Sequence, residues 1–160
     1  MKTLGRLGLA ALVAIALLVL GFVLNVVLGM RSHARDNGTI SGLRLRAPVQ
    51  VLRDDRGVPH VIASNEHDLF FAQGYVEGSD RLFQMDTLRR YILGELAEVY
   101  GSRALPADQT ERAIPVREIV QTQWQRLPAR SREIVGAFSD GVNAAMEREP
   151  LPVEFRVLNY

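Results

Sequence analysis

The chain opens on an unbroken apolar run. From Leu7 to Met30 no residue is charged, and Asn25 is the only strongly polar side chain. Twenty-four residues at 1.5 Å rise reach about 36 Å, enough to cross a hydrocarbon core of about 30 Å with some tilt. Residues 31–42 are polar and glycine-bearing, which reads as a linker. The pattern then turns to period two, with Leu43, Leu45, Val49 and Val51 apolar up to Arg53. Asp54–Gly57 reads as a turn and Val58–Ala63 as a second short strand, so the spacing predicts a β-hairpin. Pro59, which lacks an N–H, suits a sheet edge or the start of a strand.

Helical periodicity follows. Ser64 or Asn65 is placed to cap a helix whose first turn carries Glu66 and Asp68. Phe71, Tyr75, Gly78, Leu82, Met85 and Ile92 recur at spacings of one helical face. Gly74 and Gly78 each weaken a helix by about 1 kcal/mol relative to Ala, a cost that close approach of another element would offset. Gly94 is a candidate break, and Gly101 stops the helical stretch that follows it. Asp108 is placed to cap a helix reaching Leu127. Pro128 precedes another, over 131–149, with Ile134, Val135, Phe138, Val142 and Ala145 on one side. Residues 151–160 have strand or loop composition. The expected fold class is a mainly α fragment with a short β-hairpin, preceded by an N-terminal transmembrane helix.

Charge and composition narrow the function classes. A net charge of +1, with arginines interleaved among acids, gives no footprint for nucleic acid. No cysteine is present, so disulfides and thiolate metal sites are excluded. Lys2 and Arg6 precede the apolar run as in an export signal, and residues 26–31 offer no small-residue cleavage site. The expected organisation is a cytoplasmic n-region at 1–6, a signal-anchor helix at 7–30, a linker at 31–42 and an incomplete domain at 43–160. The membrane is then a partner through residues 7–30. Secretion after signal cleavage is the alternative.

The densest signature begins at Gly57-Val58-Pro59-His60 and runs through Asp68 and Phe71-Ala72-Gln73-Gly74-Tyr75. It continues with Asp80-Arg81-Leu82-Phe83-Gln84-Met85-Asp86, Arg89-Arg90 and Gly94-Glu95-Leu96-Ala97-Glu98. Gly101, Asp108, Arg112 and Gly141-Val142-Asn143-Ala144 extend it. Residues 38–160 resemble the start of the α segment of the penicillin acylase family of N-terminal-nucleophile hydrolases. The resemblance implies a four-layer αββα fold in the whole protein and a precursor that cuts itself into α and β chains. It implies amide hydrolysis of N-acyl compounds, such as β-lactam side-chain amides or acyl-homoserine lactones. The nucleophile would be the serine that begins the β chain, its own α-amino group acting as base. That serine, the acyl pocket and the ligands of the family's calcium ion are expected beyond Tyr160.

Accordingly, no catalytic, cofactor-binding or metal-binding residue is assigned within the chain, and the isolated piece is expected to be inactive. Its expected partner is the downstream β chain. Neither of two Gly–Ser bonds reads as a processing junction: Gly78-Ser79 lies inside the expected long helix, and Gly101-Ser102 is followed by Arg-Ala-Leu, unlike the Asn-x-Trp that the resemblance implies after the serine. His60, His67, Glu66 and Asp68 lack a chelating spacing and read as helix-start, strand and surface residues. Glu77–Arg81, Asp86–Arg89 and Asp86–Arg90 have the spacing of helix ion pairs, and with Asp80 they read as structural. The alternative function is a membrane-anchored, non-catalytic helical binding module.

Overall fold

A computed structural model describes residues 2–31 and 37–160, with side chains at 12–27, 29 and 37–160. The chain forms two compact units, Met1–His33 and Ala34–Tyr160. The first is one helix, α1 (Lys2–Arg31), in which neither proline nor an internal charge interrupts the apolar run. Of the membrane-spanning helix expected over 7–30, α1 gives the helical backbone, with side chains described at 12–27 and 29. Among the described residues, no helix is long and apolar enough to cross a membrane. The expected n-region at 1–6, the flanks 7–11, 28 and 30 of the expected span, and linker residues 31–36 fall outside the described side chains.

In the second unit the hairpin is present but short. Strand β1 (Gln50–Arg53) pairs antiparallel with β2 (Pro59–Ile62), with Leu52 opposite His60 and Arg53 opposite Pro59. The Asp54 carboxylate accepts the Arg56 and Val58 N–H groups, both at 2.9 Å, and closes the turn. Residues 43–49 do not extend β1, because the Arg46 and Ala47 N–H groups are spent on Asp68.

Helix α2 (Glu66–Leu93) starts at Asn65, whose side chain accepts the Asp68 N–H. It stops at Gly94, in the left-handed conformation with φ +66°. Phe71, Tyr75, Gly78 and Leu82 are buried as their spacing requires, while Met85 is half-buried and Ile92 exposed. The cause is a kink at Arg81 (φ −139°, ψ 21°), which turns the second half of the helix off the first half's face.

Next come α3 (Ala97–Tyr100), a 3₁₀ turn (Gly101–Ala104) and α4 (Leu105–Glu111). The single helix expected from Asp108 to Leu127 is two pieces, because Pro115 separates α4 from α5 (Val116–Arg126). Helix α6 (Ala129–Arg148) follows Pro128, and α7 (Val153–Val157) stands where strand or loop was expected. Phe155 of α7 packs edge-on against Phe83, with ring centroids 5.8 Å apart.

The core lies where α2 crosses α6. Phe71, Tyr75, Ala137 and Ala145 form its centre, with Leu43 and Leu45 packed beside them. On α6 the buried stripe is Ala137, Gly141 and Ala145, and Val135, expected inside, is exposed. Close approach of the two backbones selects the small residues over the large ones.

Candidate functional site

The chemistry-bearing residues collect into a carboxylate frame around α2. Asp68 is its most buried member, with no exposed surface. The Asn65-x-x-Asp68 spacing is that of a capping box. Asn65 Nδ2 donates to the Asp68 carboxylate at 2.7 Å, and the Arg46 and Ala47 N–H groups donate at 3.0 and 2.8 Å. His67 Nδ1 lies 3.0 Å away. Burial pushes the Asp68 pKa up, but the donors from Arg46, His67, Asn65 and Ala47 outweigh it and hold the carboxyl well below the usual range. The side chain thereby pins the extended segment before the hairpin to the start of α2. The expectation of a surface residue is wrong for Asp68 and right for exposed Glu66, which pairs with Arg130.

Asp108 does the same work further along. From inside α4 its carboxylate accepts the Leu96 and Ala97 N–H groups at 2.9 and 2.8 Å, satisfying the start of α3. It caps α3 across the chain instead of its own helix. Gly94 allows this approach: a Cβ there would stand 2.7 Å from the Asp108 carbonyl oxygen and 2.6 Å from Arg112 Cγ. Arg112 in turn donates to the Gly94 carbonyl at 2.7 Å.

The arginine-rich end of α2 forms a third part. Asp86 accepts Arg89 and Arg90 at 2.8 Å each, as their spacing predicts. Arg90 also reaches Glu98 at 2.8 Å and stacks on the Tyr160 ring, 4.8 Å from its centroid. Glu95 joins Arg89 to Arg117. Burial raises the Asp86 pKa, and the hydrogen bonds from Arg89, Arg90 and Tyr160 more than reverse it. The expected Glu77–Arg81 pair is not among the ion pairs of the described residues, and Glu77 accepts from Gln73 instead. Asp80 forms a two-point bond with Arg53 at 2.7 and 2.9 Å, tying β1 to α2.

These carboxylates are already engaged by N–H and guanidinium donors. A general base needs a lone pair facing substrate and a pKa near the working pH. Asp68 and Asp86 have the reverse, and their chemistry is that of struts. Ser79 lies within α2 and donates to the Tyr75 carbonyl at 2.8 Å, while Ser102 is exposed in the 3₁₀ turn. His60, read as a strand and surface residue, lies in β2 and is exposed, 3.8 Å from Asp54. Among the described residues no group of three or more His, Cys, Asp or Glu is placed to hold a metal ion.

Residues 48–160 match the family model described as penicillin amidase. The chain belongs to the penicillin amidase family. It is 39% identical over 123 residues to penicillin acylase 2 proenzyme of Pseudomonas sp. (strain SE83), covering 76% of this chain and 16% of that protein. It is 34% identical over 114 residues to the acyl-homoserine lactone acylase QuiP of Pseudomonas aeruginosa, covering 70% and 14%. In structure it is similar to a thermostable penicillin G acylase from Alcaligenes faecalis. That match has a TM-score of 0.62 and 35% identity, and covers 71% of this chain and 63% of that one. The chain thus spans about one-sixth of the length of the curated penicillin amidase relatives it matches. The match starts near β1 and takes in every carboxylate of the frame.

Sequence reasoning missed the caps formed by Asp68 and Asp108 and the Arg53–Asp80 and Tyr75–Glu149 bonds. The Asn65-x-x-Asp68 spacing was a readable signal for the first. The others join residues 11 to 74 positions apart in sequence, where local pattern carries no information.

Proposed function

We propose that the chain is the N-terminal part of a self-processing amidohydrolase that cleaves linear amides of N-acyl compounds. The observation that carries this is the family match over 48–160 in a chain one-sixth the length of its acylase relatives. One relative is named as a proenzyme, which favours a precursor cut into two chains. β-Lactam side-chain amides and acyl-homoserine lactones are the substrate classes, because relatives named for each are similar to this chain.

In this reading the reaction occurs on a serine that begins the β chain, outside these residues. Its hydroxyl attacks the amide carbonyl, its own α-amino group takes the proton, the amine leaves, and water releases the acid. An oxyanion hole stabilises both tetrahedral intermediates. The role of this chain is to hold the α-segment scaffold in register for the β chain through Asp68, Asp86 and Asp108. The family's calcium is assigned to residues beyond Tyr160, in keeping with the engaged state of the carboxylates here.

The apolar run from Leu7 to Met30 supports a membrane tether with the remainder exported. A reporter fused after Arg46 tests it, since activity confined to the cytoplasm contradicts the orientation. Expressing the full reading frame with a serine-trapping acyl substrate tests the function. Label on the N-terminal residue of a second chain is expected, and label nowhere, with no hydrolysis, contradicts it.

A further inference from the structure

Glu149 is the carboxylate that the scaffold role leaves unexplained. It caps the C-terminus of α6, donating its N–H to the Ala145 carbonyl at 2.8 Å. The Tyr75 hydroxyl donates to its Oε1 at 2.6 Å, while Oε2 is buried with no hydrogen-bond partner among the described residues. Two effects make a lone carboxylate costly there. Burial removes water without supplying a donor, and the carbonyl end of α6 carries partial negative charge.

Glu149 and Tyr75 line a cavity of about 490 Å³ whose other walls include Leu43, Leu45, Val49 and Phe71. The lining mixes these apolar side chains with Gln50, Ser79 and Arg53, and Glu149 is the one carboxylate in it, a composition suited to a polar head on an apolar stem. The cations nearby are engaged elsewhere. Arg53, on the same cavity, is held by Asp80, and Arg148 donates to the Ser41 and Gly42 carbonyls at 2.6 and 2.7 Å.

We propose that this cavity binds a cationic group on an apolar stem, an alkylammonium or guanidinium, with Glu149 as its counter-ion and Leu43, Leu45 and Phe71 around the stem. The group has two sources, a free amine or a Lys or Arg side chain from the rest of the precursor. The second source rests on the chain being part of a longer protein, and the first does not.

The sign of one substitution separates these from an empty site. Glu149→Gln keeps the shape and the Tyr75 bond but removes the charge. An unpaired buried carboxylate gains from that change, and a paired one loses. Thermal unfolding of the full-length protein and of E149Q, each with and without n-pentylammonium, gives the answer. If a side chain fills the site, E149Q melts a few degrees lower and the amine shifts neither protein. If the site takes a free amine, pentylammonium raises the melting temperature of the native protein and leaves E149Q unmoved. An E149Q protein as stable as the native one or more so, with no amine effect on the native protein, overturns the proposal. So does an amine effect equal in both. A crystal structure of the full-length native protein soaked in the amine is independent of the variant: nitrogen beside Oε2 is expected, and water alone contradicts it. Whether the precursor is processed is read separately by mass, so failure of the acylase reading is not mistaken for failure of this one.

Discussion

Gly74 of α2 and Gly141 of α6 form a reciprocal notch. A Cβ on Gly74 would stand 2.0 Å from the Phe138 carbonyl oxygen, and a Cβ on Gly141 would stand 2.0 Å from that of Phe71. Neither obstacle is a flexible side-chain tip, so relief requires the helices to part. The two glycines therefore set the distance at which Phe71, Tyr75, Ala137 and Ala145 pack.

Gly141→Ala should destabilise the full-length protein despite the helix propensity it adds. Overpacking of a close contact costs about 1–3 kcal/mol or more, against a gain of about 1 kcal/mol for Ala over Gly. Gly136→Ala, on the same helix with nothing within 4 Å, should be neutral or stabilising by up to about 1 kcal/mol. Denaturant midpoints of the two variants give the comparison, and equal shifts would remove the notch from the account.

Asp68→Asn should cost about 3 kcal/mol, because an amide cannot accept from Arg46, Ala47 and Asn65 together. The pH dependence has a definite sign. A carboxyl whose folded pKa is depressed contributes stability that is fully present above the unfolded value, near pH 4. That stability is lost as pH falls through the folded value. The native protein should lose stability below about pH 4, and the variant should lose less over the same range. Parallel acid-unfolding curves would count against Asp68 as the source.

Asp86→Ala should lower folding yield and maturation, by about 2–4 kcal/mol of stability, since Arg90 is half-buried and among the described residues keeps Glu98 and the Tyr160 ring. Soluble yield and the fraction processed measure it. A mature, stable but inactive variant would assign Asp86 a part in the chemistry.

Ser102→Ala should leave processing of the full-length precursor intact, because Ser102 sits in a 3₁₀ turn of this segment. Gel analysis of the processed chains decides it, and an uncut precursor would move the nucleophile into this chain.

Elements with strong local signals were legible in the sequence. The hairpin turn at Asp54–Gly57, the Asn65 cap, the Gly94 stop and the Asp86–Arg90 pair all rest on residues at most four apart. The need of Gly74 and Gly78 for a close neighbour was legible too, though not that Phe138 and Val142 of α6 would supply it. What periodicity could not reveal was set by long-range geometry. The Arg81 kink ended the apolar face before Ile92, and Asp68 drew residues 46–47 away from β1. At α7, Phe155 packs on Phe83 and Tyr160 on Phe155, contacts that stand beside a short helix where the composition suggested strand.

The measurement that tests the central claim most directly is intact mass and N-terminal sequencing of the product of the full reading frame. The account predicts two chains, the second beginning with serine, and amide-hydrolysing activity only in the processed form. A single uncut chain that ends soon after Tyr160, folds alone and hydrolyses no N-acyl amide would contradict it.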